Sequence, residues 1–245
     1  MNFQHFKKLI IKFFWLISFK IKYKKSPKSI ITSFEHRKLK KYIFSPKLIL
    51  DIGFNKGQFS SLALEYWPDV NLIAFDPHPY ACSHASIKLK KSYLNFFEFR
   101  NRGISSKKSK FQKLNLAKKS DNTSLLEPTN LNKSLFKKTR IYKREKCKFS
   151  KISDEINPKH YKKNWFLKID VQGSELDVLK SISKEQFKKI KWIYIEVTDL
   201  LLYKKQASRE ELKFFLESYG FKLTKSFNKE FLDGKLLYAD LLFTK

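Results

Sequence analysis

Two clusters in this chain have the residue types and spacing to do chemistry. The first is Asp51-Ile-Gly53-Phe-Asn55-Lys-Gly57, followed 25 residues after Asp51 by Asp76 in AFDPHP. The second is Asp170-Val-Gln172-Gly-Ser-Glu175, followed by Glu196 in WIYIEVTD. A glycine-bearing turn lets backbone approach a ligand closely. An acid at the tip of the next strand can accept two hydrogen bonds from a ribose diol. Carboxylates at a cleft can align an acceptor or take its proton. Asp170, Glu175 and Glu196 are also hard-cation ligands by type. Their spacing matches no metal motif, so no metal is expected.

The elements around these residues read as an alternating α/β fold. Leu48 to Ile52 and Trp165 to Ile169 are short apolar runs typical of buried parallel strands. Phe59, Leu62, Ala63 and Tyr66 give helical spacing after the first run, and Leu176, Leu179 and Ile182 do so after the second. Ser174 or Gly173 is expected to cap the second helix, with Glu175 and Asp177 in a first turn that suits the helix dipole. On the bland reading those two acids do nothing more. Glu196 stands on an otherwise apolar strand and needs a partner, for which Lys168 in the preceding strand is one candidate.

A lone Gly-x-x-x-Gly would be a plain strand–helix turn. Joined to Asp76, Asp51-x-Gly-x-x-x-Gly becomes the pattern of S-adenosylmethionine rather than of a dinucleotide. A sulfonium needs no pyrophosphate cradle, so neither Gly-x-Gly-x-x-Gly nor a P-loop is required. Asp76-Pro77-His78-Pro79-Tyr80 looks like the Asp-Pro-Pro-Tyr motif of amino-methyltransferases. It carries an inserted His and follows the wrong strand, so it does not argue for nucleic-acid methylation. His78 and His160 lie nearest to strand ends but match no motif and read as surface histidines.

The chain has 245 residues, 42% of them hydrophobic, enough for one ordinary domain with a proper core. Its two cysteines build neither a disulfide framework nor a zinc site, so a reducing compartment is expected. The formal charge is +29, which by itself points to nucleic acid or an anionic membrane. Arg occurs at only six positions, however, and Lys lacks the planar fork that reads bases. Lys, Phe, Ile and Asn are all abundant, as expected from an AT-rich genome.

Residues 1–46 read as a basic amphipathic helix and a linker, and 47–245 as the main domain. Phe3, Phe6, Leu9, Ile10, Phe13, Ile17 and Ile21 form one helical face, with lysines around it and Trp15 beside it. The apolar stretch is too short to span a bilayer, and no small-residue cleavage site follows it. Either the face packs on the domain or on a second copy, or residues 1–25 lie on an anionic leaflet. A cytoplasmic protein, placed at the inner membrane face in the second case, is the matching expectation, and an oligomer is open. Ser26-Pro27 ends the helix, and the linker runs to about Pro46.

LILDIGFNKGQFS, AFDPHP, LKIDVQGSELDVLKS, IYIEV and YGFKL…LLYADLLF resemble, in order, the FkbM family of S-adenosylmethionine-dependent methyltransferases. Lys-Ile-Asp-Val-Gln-Gly-x-Glu is the most diagnostic of these motifs. The resemblance covers roughly residues 47–245. Two positions depart from the family's habit: Phe54 replaces a usual Ala, which would crowd the turn, and Asp76 replaces a frequent Glu. The resemblance implies a Rossmann-like class I methyltransferase fold, with a mostly parallel seven-stranded sheet flanked by helices and an antiparallel last strand. It implies O-methylation, commonly of a sugar hydroxyl. By position, Asp51, Gly53, Asn55 and Gly57 would line the methionine part of the cofactor, Asp76 the ribose and Asn101 the adenine. Asp170 would stand at the methyl-transfer point, with Glu175 and Glu196 as the other catalytic acids.

Between residues 102 and 150 the chain is basic and polar, with a hairpin strand in KKSKFQKLNLA and a loop in SDNTSLLEPTN. Asn122-Thr123-Ser124 falls where the family often has a Ser-rich loop over the substrate. Lys143 to Lys148 reads as a solvated strand edge. The competing readings are a nucleic-acid binder or RNA methyltransferase, which the charge motivates, and a cofactor-binding module without catalysis. No RNA-binding signature appears, so no specific nucleic-acid partner is expected.

Overall fold

The structure is a computed structural model that describes residues 34–80, 83–93, 96–107, 109–136 and 140–245; the amphipathic stretch 1–25 lies outside them. The strands are Leu48–Ile52 (β1), Asn71–Phe75 (β2), Phe97–Arg100 (β3), Gly103–Ile104 (β4), Phe111–Ala117 (β5), Ile141–Ser150 (β6), Trp165–Ile169 (β7), Ile190–Val197 (β8), Lys222–Leu232 (β9) and Lys235–Thr244 (β10). The helices are Gln58–Tyr66 (α1), Ser83–Ser92 (α2), Asn130–Leu135 (α3), Ile152–Glu155 (α4), Glu175–Lys180 (α5), Lys184–Phe187 (α6) and Arg209–Ser218 (α7).

Seven strands form one sheet in the order β3-β2-β1-β7-β8-β10-β9. The pairs from β3 across to β8 are parallel, and β10 runs antiparallel to both β8 and β9. The chain steps outward through β1, β2 and β3, then returns to β1's other side with β7. In such a sheet the crevice at the carboxyl ends of the strands opens at this reversal. The register Asp51↔Lys168 and Lys168↔Tyr194 aligns polar side chains across the three central strands.

Every residue of β1 and β7 is buried, because helices cover both faces. Leu50, Ile52, Leu167, Ile169, Ile193 and Ile195 face one way, against Phe187 of α6 and Leu212 and Leu216 of α7. Ile49, Phe166, Trp192 and Tyr194 face the other way, against Phe59 and Ala63 of α1. Each full burial of this kind contributes about 1.5–3 kcal/mol relative to exposure. The stretch expected as linker is partly structured: Phe34–Lys41 is a 3-10 helix, and Leu39 and Ile43 join the second cluster. Packing therefore begins ahead of residue 47.

Between β3 and β7 the chain makes a second, three-stranded sheet in the order β4-β6-β5. β6, whose Lys143 to Lys148 were expected as a solvated edge, pairs with β5 through those residues and with β4 only at Phe149 and Ser150. Asp177 in the first turn of α5 does more than serve its own helix end. It accepts from the backbone N–H of Ser106, 3.1 Å, and from that residue's hydroxyl, tying the insertion to the main sheet.

Candidate active site

A cavity of about 760 Å³ opens over the carboxyl ends of β1, β2, β7 and β8. That is within the span of about 300–1,000 Å³ usual for small-molecule sites. Its walls include Gly53, Asn55, Asp76, Asp170, Glu175 and Glu196 among the residues expected from sequence, and not Asp51, Gly57 or Asn101.

The turn after β1 depends on glycine. Gly53 has φ +93°, and a Cβ there would lie 1.8 Å from the carbonyl oxygen of Asp170. Two loops can approach this closely only if one brings no side chain. Phe54 crowds the turn at Gly57, as its type led one to expect, and glycine there makes the room. The Phe54 ring points down into the core, 5.9 Å from Phe97 and 5.0 Å from Phe99 between ring centroids. Gly57 leads into α1 at φ +72°, with the Phe54 ring where a Cβ would go.

Asp76 organises the β2 side. Its two oxygens accept from the backbone N–H of Asn55, 2.7 Å, and of His78, 2.8 Å. Each carboxylate oxygen has a second lone pair, which leaves acceptor capacity for a ribose diol at the cavity wall. Asn101 stands behind this loop and donates to the carbonyls of Asp76, 3.0 Å, and His78, 3.2 Å. It supports the loop from behind and does not itself line the cavity. His78 is buried and borders the cavity, whereas His160 is exposed. Burial lowers the His78 pKa against the pull of Asp76 and Glu145.

Asn55 adopts φ +47°, a left-handed conformation that Asn tolerates. Its amide donates to Asp121, 2.6 Å, and its carbonyl accepts from the Ser120 hydroxyl, 2.9 Å. The side chain thus clasps the insertion to the turn after β1. Ser124 donates to the Gln172 carbonyl, 2.7 Å, at the opposite wall. Asn122, Thr123 and Ser124 all line the cavity.

The floor is ionic. Lys168 lies 3.3 Å from Asp51 and 3.6 Å from Asp170, and its ammonium donates to the Gly53 carbonyl, 2.9 Å. Burial pulls its pKa down, but the two carboxylates outweigh that and hold it well above the usual value. Lys168 is therefore the partner of Asp51 and Asp170, not of Glu196. Asp51 is fully buried beneath the floor, accepting from Ser60 at 2.6 Å. Glu196 meets Gln172 instead. The Gln172 amide donates to Glu196, 2.7 Å, and to Asp170, 3.0 Å, while its carbonyl accepts from Tyr203, 3.0 Å. Burial, then Asp170, Asp240 and Glu175, push the Glu196 carboxyl well up. Glu175 accepts from the backbone of Val171, 3.2 Å, and Gly173, 3.1 Å, and burial raises it to about 7. That carboxylate shapes the β7 turn, while Ser174 takes the expected N-cap position of α5 without a side-chain cap bond.

The residues fit S-adenosylmethionine on three observations. A loop cradle admits no Cβ, a buried acid stands at the ribose end, and the cationic sulfonium would meet a floor with two carboxylates to one ammonium. Among the described residues no group of three or more His, Cys, Asp or Glu is arranged to hold a metal ion. Sequence reasoning missed Gln172 as the relay between two acids, and Tyr203 behind it. It also missed His36 at the cavity wall, which sits in what read as linker. The Leu39 and Ile43 spacing was the one available sign that this stretch packs.

The sheet order, the crevice at its reversal and the acids around it define a Rossmann-like class I methyltransferase fold. Residues 51–223 match the methyltransferase FkbM domain. The chain belongs to that family, and its cofactor is S-adenosylmethionine. No curated protein matches it. Among solved structures it is similar to precorrin-6y C5,15-methyltransferase from Geobacter metallireducens, at 13% identity and TM-score 0.45, over 90% of this chain and 93% of that one. It is similar to TrmK of M. capricolum in complex with S-adenosyl-homocysteine, at 14% and 0.47, over 88% and 69%. A TehB-like SAM-dependent methyltransferase from Corynebacterium glutamicum matches at 12% and 0.44, over the full length of both chains.

Proposed function

We propose that this methyltransferase acts on oxygen, and that its acceptor is a hydroxyl of a sugar or glycan. The observation that carries the reading is the acidic floor inside a protein of net charge +29. Asp51 and Asp170 share Lys168 as their cation, while burial raises the Glu175 and Glu196 carboxyls. Such a floor disfavours a phosphate at the reacting position and hydrogen-bonds a neutral polyol.

In this reading Asp76 holds the ribose, and the Gly53 turn lets the methionine portion lie close to the backbone. The bound cofactor supplies an electrophilic methyl carbon on a sulfonium. Asp170, whose side chain is 40% exposed toward the cavity, aligns the acceptor hydroxyl. Lys168 and Gln172 fix that carboxylate from two sides. Alignment of this kind lowers a barrier by about 7–11 kcal/mol, and a general base adds about 10²–10⁴-fold in rate. We place the protein at the cytoplasmic face of a membrane, with residues 1–25 as its contact, where a lipid-linked glycan would be within reach.

Titration calorimetry with S-adenosylhomocysteine tests the cofactor half, with tight binding expected for the wild type and a large loss for Asp76→Ala. Transfer of labelled methyl to a panel of methyl hexosides and to RNA tests the acceptor half. The charge of +29 favours RNA as the second reading. Labelling of RNA with none of the sugars would overturn the first.

A further inference from the structure

The proposed reaction leaves open which group takes the proton of the acceptor. The geometry points to His36, oriented by Asp240, as that general base, in a pair built from the two flanks of the chain. Both residues lie outside the matched span 51–223. The inference rests on the O-methylation reading above.

His36 sits on the Phe34–Lys41 3-10 helix, and its ring borders the same cavity as Asp170 and Glu196. Its Nε2 lies 3.5 Å from Asp240 on β10, with both side chains largely shielded from solvent. Two edge-on aromatic contacts fix the ring, to Tyr194 at 5.4 Å and to Phe59 at 6.0 Å between centroids. Asp240 is itself fixed, accepting from Tyr194, 2.9 Å, and Asn228, 2.5 Å. Burial alone would raise its pKa, but bonds from His36, Asn228 and Tyr194 more than offset this and keep it below the usual carboxylate range. Asp240 pairs in register with Glu196, so this anion stands one strand from the acidic floor. An imidazole at a cavity wall, held by a buried ionised carboxylate, is the arrangement that orients a base and stabilises it once protonated.

The step balances without a further reactant. The acceptor oxygen forms a bond to the methyl carbon, the carbon–sulfur bond breaks with its pair left on sulfur, and the hydroxyl proton passes to the imidazole. Asp240 is a positioning residue, since it acts through His36. The charged and titratable groups around the ring are Asp240 on β10, Tyr194 on β8, Lys168 on β7 beyond the Phe59 ring, and Glu35 on its own helix.

The test uses the full chain with His36→Ala, His36→Gln and Asp240→Asn, the Gln variant serving if the Ala variant does not fold. Methyl hexosides are the acceptor probes. Both His36 variants should lower kcat about 10²-fold or more while S-adenosylhomocysteine affinity by calorimetry stays within about two-fold. Asp240→Asn should lower kcat about ten-fold with acceptor KM unchanged, and should move the Nε2 resonance of His36 seen by NMR. Unchanged kcat in the His36 variants overturns the inference, and so does loss of cofactor binding, which would make the residue structural. If the wild type methylates no sugar, the acceptor reading fails by itself. The dyad is then decided by the ring nitrogen resonances of His36, which need no acceptor: an Nε2 resonance that Asp240→Asn leaves in place overturns it.

Discussion

The tips of β1 and β2 and the tips of β7 and β8 wall the same cavity, yet they are built by different means. At β1 and β2 the shape comes from backbone: a glycine turn, and an aspartate whose two oxygens each take a main-chain N–H. At β7 and β8 it comes from side chains that share protons and charge, namely Lys168, Asp170, Gln172, Glu175 and Glu196. A cofactor that is always the same molecule suits the first kind of construction. A reacting group that changes charge during the reaction needs the second, because only titratable groups can be tuned by burial and neighbours.

The comparison breaks hardest at Lys168, which bolts the halves together through Asp51 and Gly53 on one side and Asp170 on the other. Lys168→Met leaves Asp51 buried without a counter-charge. Removing one partner of such a pair costs about 3–5 kcal/mol. Chemical unfolding should read a loss of this size, and a loss below about 1 kcal/mol would mean the halves stand independently. Next in size is a pH effect at Glu175, on the β7 side. Glu175 moves from an ordinary 4.5 to about 7 on folding. Between those values the native chain keeps a proton that the unfolded chain has lost, so stability falls as pH rises through the window and is flat outside it. The full swing is about 3 kcal/mol. Glu196 and Asp51 are also held up and act in the same sense, so the difference between wild type and Glu175→Gln isolates this one carboxyl. Urea midpoints at several pH values should show the variant losing less on passing from pH 4.5 to 7.

The backbone-built half was readable from sequence because its signals are local. Apolar runs ending in Asp51 and Asp76, with Gly53 between strand and helix, are consequences of strand period and turn sterics. The side-chain half was readable only as a set of acids. Which acid met which partner depends on register between strands far apart in sequence, and Lys168 went to Asp51 and Asp170 rather than to Glu196. His36 and Asp240 come together only because β10 inserts between β8 and β9, which no local pattern announces. Phe54 was readable only in half: its bulk does press on Gly57 within the turn, while its burial against Phe97 and Phe99 depends on a strand far along the chain.

Asn55 probes the seam between the cofactor turn and the insertion. Asn55→Ala removes two side-chain hydrogen bonds and places a Cβ-bearing residue without a local amide at φ +47°. The expected loss is about 2–4 kcal/mol, from two bonds at about 0.5–1.5 kcal/mol each and a left-handed cost of about 1 kcal/mol. Asn55→Gly relieves the backbone part and keeps the loss of the clasp. Amide exchange should then quicken at Ser120 to Ser124 in both variants by a similar factor. Protection left intact in both would show that the insertion is held elsewhere.

Asn101 gives the smallest effect and the sharpest test of the contrast. Its amide holds two carbonyls of the loop after β2 from outside the cavity, with its side chain exposed. Asn101→Ala should cost about 1 kcal/mol, because both carbonyls can turn to water instead. If backbone geometry carries the cofactor half, the Asp76 carboxylate keeps its two N–H donors without Asn101. Affinity for S-adenosylhomocysteine should then fall by less than about ten-fold, a change worth about 1.4 kcal/mol. The pH dependence of stability should be that of the wild type, since no titratable group loses a partner. A fall beyond a hundred-fold would instead assign Asn101 a direct contact with the nucleoside, as the family resemblance implies, and would make the β2 tip as dependent on side chains as the β7 tip.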